Sequence, residues 1–101
     1  MYIVNIKVRF DELKAAVVLA KHEVDMDAVK QEILDERYDV DEVANQKGHP
    51  GQKMFIVAVN GYAHCVPYVI EQDGTYFLKT AFPSRIYQRR YENGELKIRP
   101  D

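Results

Sequence analysis

The chain reads as an α+β domain in which two helices precede an antiparallel sheet of hairpins and a short helix follows it. Three observations predict this. Apolar residues recur at helical spacing between positions 13 and 34, an unbroken apolar run occupies 54–59, and Asn60-Gly61 and Asp73-Gly74 then punctuate the chain as hairpin turns. Helices grouped first and strands second call for helices packed on one face of a sheet. A length of 101 residues fits a single domain, 1–101.

Taken in order, residues 2–10 alternate as a short strand. Val4, Ile6, Val8 and Phe10 lie on one side, with Ile3, Asn5, Lys7 and Arg9 on the other. Asp11 is placed to cap a helix in which Leu13, Ala16, Val17 and Ala20 fall at i, i+3, i+4 and i+7 as its apolar stripe. Lys21 and His22 suit the negative end of that helix. Asp25 or Asp27 caps a second helix that fades near Arg37, with Met26, Val29 and Ile33 on one face and Leu34 beside them. From Tyr38 to Lys53 no period is sustained, and Gly48-His49-Pro50-Gly51 is a strong breaker. This predicts a long loop, either functional or partly mobile.

Met54–Val59 suits a strand covered on both faces. Tyr62–Glu71 is its hairpin partner, where Pro67, lacking an N–H, marks an edge, a bulge or a bend. Thr75–Phe82 alternates, with Tyr76, Leu78, Thr80 and Phe82 on one side and Phe77, Lys79 and Ala81 on the other. Pro83 ends that strand, Ser84 caps a helix from Arg85 to about Glu92, and Asn93-Gly94 stops it. Glu95–Arg99 is a last short strand or a tail. The predicted order is β-α-α-β-β-β-α.

Composition removes several function classes. Cys65 is the sole cysteine, so neither an intrachain disulfide nor a thiolate metal cluster can form, and it reads as a small core residue. The start of the chain lacks the pattern of a secretory signal, and no apolar run is long enough to cross a bilayer, which points to a cytoplasmic protein with no membrane partner. His22, His49 and His64 are spaced unlike metal ligands, and no phosphate-binding glycine loop or nucleophile elbow occurs, so no metal or cofactor is expected. The net charge of −2 argues against coating nucleic acid by bulk electrostatics. Its distribution is uneven: residues 1–75 carry a balance of −5 and residues 76–101 one of +3.

That basic end holds the candidate site. Lys79, Ser84, Arg85, Arg89, Arg90 and Tyr91 fall within thirteen residues. Arg85 and Arg89 are i,i+4 neighbours, as are Tyr87 and Tyr91. A helix opening directly after a strand brings its N-terminal N–H groups beside the strand end, and guanidinium groups match phosphate oxygens with paired hydrogen bonds. Together these suit a phosphodiester, against the plainer reading of a solvated helix whose tyrosines are core.

Two stretches resemble a known family. Phe10-Asp11-Glu12-Leu13-Lys14, followed by Lys21-His22-Glu23-Val24 and Val29, resembles the opening of BrnT-type toxins. Phe77-Leu78-Lys79-Thr80, Pro83-Ser84-Arg85 and Arg89-Arg90-Tyr91 resemble the close of related small toxins; Pro50–Val57 and Val66-Pro67-Tyr68 resemble their central hairpin. The resemblance covers roughly residues 10–91. It departs at Phe10, where a Trp is usual, at Glu23 in place of Gly, at Tyr87 in place of Ala, and in lacking an acidic residue before the final Arg. It implies a RelE/ParE-like fold, RNA cleavage by 2′-hydroxyl attack, and a cognate DNA-binding antitoxin as partner. On this basis Lys79, Arg85, Arg90 and Tyr91 are expected to be catalytic, with Lys14, Ser84 and Arg89 binding the RNA substrate. The rival expectation is a non-catalytic protein- or RNA-binding module on the same fold.

Overall fold

A computed structural model describes residues 6–98. The elements are β1 (Val8–Phe10), α1 (Glu12–His22), α2 (Met26–Leu34), β2 (Asp39–Glu42), β3 (Lys53–Val59), β4 (Tyr62–Ile70), β5 (Tyr76–Leu78), β6 (Phe82–Pro83) and α3 (Arg85–Glu92). The chain is α+β, with helices on both faces of one open sheet of order β1-β5-β4-β3-β2, and β6 paired to β4. The expected start of the first strand, residues 2–5, lies outside the described residues.

The sheet is mixed, correcting the expectation of an antiparallel one. β1 runs parallel to β5, with Val8 opposite Tyr76 and Phe10 opposite Leu78, whereas the other pairings are antiparallel. The two strands lie far apart in sequence, so no hairpin joins them and nothing local dictates their direction. Arg9 grips Glu71 across this edge with two hydrogen bonds, 2.7 and 2.6 Å, and its guanidinium lies 4.6 Å from the Phe77 ring centre.

Both N-terminal helices are capped as their sequences dictate. Asp11 accepts the Leu13 N–H at 2.8 Å and Asp25 the Asp27 N–H at 2.9 Å. α2 buries Met26, Val29 and Ile33 as predicted. α1 does not bury the predicted stripe: Val18 is buried and Ala15 partly so, while Leu13 is 80% and Val17 53% exposed. The run Ala15–Ala20 is apolar on every side of the helix, so its period could not select the buried face.

The predicted loop 38–53 contains β2, a strand with acids at three of its four positions. Its pairing is set by β3, from Asp39 opposite Ile56 to Glu42 opposite Lys53. The Asn60-Gly61 turn takes positive φ at both positions, 54° and 75°, as the hairpin requires.

Alternation in β3 and β4 divides the core between the two faces. Phe55, Val57, Val59, Val66 and Tyr68 pack under α1 and α2. Met54, Ile56, Ala63 and Cys65 form a second core with Tyr91 of α3 and with Leu96 and Ile98, which lie in no strand. Among the described residues, no helix is long and apolar enough to cross a membrane.

Candidate functional site

The site begins with a register change opposite Pro67. Tyr68 pairs Leu78 and Cys65 pairs Phe82, so Lys79, Thr80 and Ala81 stand against only Val66 and Pro67. One residue is extra, which makes a bulge. Side-chain parity flips across it: Leu78 and Ala81 lie in the first core and Phe82 packs against the second, correcting the expectation that Leu78 and Phe82 share a side. The Lys79 N–H donates to the Pro67 carbonyl at 2.9 Å.

On the second face the bulge borders a groove of about 610 Å³. Met54, Cys65 and Pro67 come to it from the sheet, and Phe82, Ile86 and Tyr87 from β6 and α3. Val43, Ala44, Asn45, His49 and Gln52 line it from the segment between β2 and β3. Lys79 and Thr80 reach it from the bulge, Ser84 from the α3 cap, and Lys14 from α1. No carboxylate is among these lining residues, in a chain with 16 of them. Neither lysine has an ion pair among the described residues.

Of the seven predicted site residues, the structure therefore brings Lys14, Lys79 and Ser84 to one concavity. Ser84 caps α3, its Oγ accepting the Tyr87 N–H at 3.3 Å, and it lines the groove with Cys65. Burial pushes the Cys65 thiol up to about 11, which keeps it protonated and unreactive. Arg85 and Arg89 are exposed on α3 and do not line the groove.

Arg90 is held elsewhere. Its Nη1 lies 3.6 Å from Asp41 Oδ2, and its guanidinium stands 5.1 Å from the Tyr87 ring centre. The Tyr87 hydroxyl donates to the same Asp41 oxygen at 2.5 Å. That bond is the main reason the Asp41 carboxyl is held below its usual range, with the Glu42 N–H and Arg90 adding to it. The desolvated phenol, beside this carboxylate, is pushed well up.

Tyr91 is only 7% exposed and belongs to the second core. It borders a different concavity, about 860 Å³, lined by Glu32, Glu36 and Glu92 with Arg37 and Lys97. Acids outnumber bases there, and Arg37 is bonded to Glu32 at 2.6 Å, so this larger space is unsuited to a polyanion. Tyr87 and Tyr91 share the face by which α3 covers the sheet, which accounts for their burial.

Sequence reasoning missed Asp41 and the groove wall made by Asn45, His49 and Gln52. No local signal joins Asp41 to a tyrosine 46 positions away. The Gly48-His49-Pro50-Gly51 breaker did signal a tight turn, the form in which a loop packs upon itself. Among the described residues no three or more His, Cys, Asp or Glu are grouped to hold a metal ion. In comparisons with known proteins, no family model matches the chain and no curated protein is significantly similar to it.

Proposed function

We propose that the protein is a ribonuclease toxin of a toxin–antitoxin pair, cleaving RNA through the substrate's own 2′-hydroxyl without a metal ion. The observation that carries this reading is the groove, an apolar slot bordered by two lysines that make no ion pair among the described residues and lined by no carboxylate, in a chain of negative net charge. Apolar walls suit nucleobase faces, and an ammonium at the rim suits the phosphates that join them.

In the proposed reaction the 2′-oxygen attacks the adjacent phosphorus and the 5′-oxygen leaves, giving a cyclic phosphate and a 5′-hydroxyl. Lys79 stabilises the charge that grows on the phosphoryl oxygens. Lys14 holds a neighbouring phosphate, and the exposed Arg85 and Arg89 continue the track outside the groove. His49 is the imidazole lining the groove, and it serves to take the 2′-proton and return one to the leaving oxygen. Arg90 and Tyr91 act through the seating of α3.

The βαα order followed by hairpins and a helix supports the RelE/ParE-like arrangement that the sequence resemblance implies. The exposed stripe Leu13, Ala16, Val17 and Ala20 supports a protein partner, the antitoxin, because an apolar helix face in water invites a cover. A second reading, a non-catalytic binding module on this fold, is favoured by the burial of Tyr91 and the hold of Asp41 on Arg90.

The test is controlled expression with mapping of cellular RNA ends. The wild type arrests growth and creates new ends, while Lys79→Ala reduces cleavage by about 10²–10³, the loss typical of one charge stabiliser. A harmless wild type, or a Lys79→Ala variant that cuts as well, rejects the nuclease. RNA binding without cutting then favours the module.

A further inference from the structure

The segment between β2 and β3 is a self-stapled loop. Val43 N–H donates to the Gln52 carbonyl at 3.0 Å and closes its ends. The Gln46 amide is spent on the same loop: Nε2 donates to the Val43 and Gln52 carbonyls at 2.6 and 3.1 Å, and Oε1 accepts the Gly51 N–H at 2.9 Å. Asn45 Oδ1 accepts the Gly48 N–H at 3.1 Å. Compact loops closed by their own side chains are rigid surfaces rather than tethers.

What the staple leaves over faces the groove. Asn45 keeps its amide donor, and the Gln52 side chain has no hydrogen bond among the described residues; both line the groove together with its lysines. Side-chain amides are the groups that pair with base edges, and single-stranded RNA is read by bases splayed out into such slots. We infer that the 43–52 loop is a base-selecting wall, at which a single-stranded RNA places one base in the groove and Asn45 and Gln52 read its edge. The inference rests on the groove being an RNA site, and it divides the labour: lysines hold phosphate and ignore sequence, amides choose the base.

Gly48 gives a probe that removes nothing from the groove. A Cβ there would stand 2.8 Å from Asn45 Nδ2, so Gly48→Ala must swing the Asn45 amide aside. The experiment measures binding of short 2′-O-methyl oligonucleotides of A, C, G and U, which cannot be cleaved, alongside cutting of unmodified RNA. The wild type favours one base, and Gln52→Ala and Gly48→Ala each reduce that preference about tenfold, within the discrimination of one good amide–base pair. Lys79→Ala weakens all four equally and keeps the preference.

Equal wild-type binding to all four oligonucleotides overturns the wall, as does an unchanged preference in both loop variants. If unmodified RNA is still cut in either case, the nuclease reading survives the loss. A preference that Gln52→Ala and Gly48→Ala abolish, in a wild type that cuts nothing, supports the wall and defeats the nuclease.

Discussion

Replacing Tyr87 with phenylalanine removes one oxygen and leaves the ring, so it isolates the tie between α3 and β2. The hydroxyl donates to Asp41 at 2.5 Å. A hydrogen bond to a charged group contributes about 1.5–3 kcal/mol. The Asp41 side chain is 46% exposed, so water replaces part of the loss and the lower end applies, about 1.5 kcal/mol. The Arg90 pair, longer and also half-exposed, adds little. For a domain of this size the deficit lowers Tm by about 6–12 °C. Urea melts should show an earlier midpoint with an unchanged slope.

The sign with pH follows from Asp41, whose folded pKa lies below its ordinary 3.8 chiefly because of the Tyr87 hydroxyl. Stability from such a group is present above the unfolded value and is lost as pH falls through the folded one. The gap between wild type and Tyr87→Phe is therefore flat near neutrality and shrinks below 3.8. In a double-mutant cycle with Asp41→Asn the two changes couple by about 1 kcal/mol. Equal midpoints for wild type and Tyr87→Phe would refute the reasoning. So would a full-sized Tyr87→Phe effect in the Asp41→Asn background.

Three further outcomes are expected. Ile33→Ala, at a fully buried position under the first face, costs about 2–5 kcal/mol in urea melts. Leu13→Lys, at a position 80% exposed, changes stability by less than about 0.5 kcal/mol but abolishes co-purification with the protein partner proposed above. His64 is buried, which lowers its pKa below the ordinary 6.5, so its NMR titration falls below that value and stability declines as pH drops under it. A His64 midpoint above 6.5 would contradict the burial seen here.

The legible parts of the fold were those where local chemistry and tertiary packing agree. Asp11, Asp25 and Ser84 cap the helices they precede, and Asn60-Gly61 turns β3 into β4. α2, whose apolar residues form one clear stripe, buries that stripe. The buried face of α1 was not legible because its central run Ala15–Ala20 is apolar on every side, and β2 was not because its partner strand, not its own pattern, makes it a strand. Of the groove's lining, Lys79 and Ser84 fall in the strand–Pro–Ser–Arg stretch that the sequence singles out, whereas no local pattern points to Lys14. Arg90 looked free in sequence because Asp41, the acid that engages it, arrives from another strand. Long-range pairing is the step that residue patterns omit.

The groove itself follows from unequal cover on the two faces of the sheet. α1 and α2 lie over the first face, with eleven and nine residues. α3 has eight and is about 12 Å long at 1.5 Å per residue, whereas the nine residues of β4 span about 30 Å. Leu96 and Ile98 extend the second core beside Tyr91. Where α3 gives out, the cover is irregular chain, the stapled loop on one side and the bulge on the other. The bulge decides the outcome. Were the same residues paired in regular register from Tyr68 and Leu78, Phe82 would stand opposite His64, keep the parity of Leu78 and turn toward the α1–α2 core, and the groove would lose one of its apolar walls. The bulge opposite Pro67 thus decides which face of the sheet receives Phe82, and with it one wall of the groove.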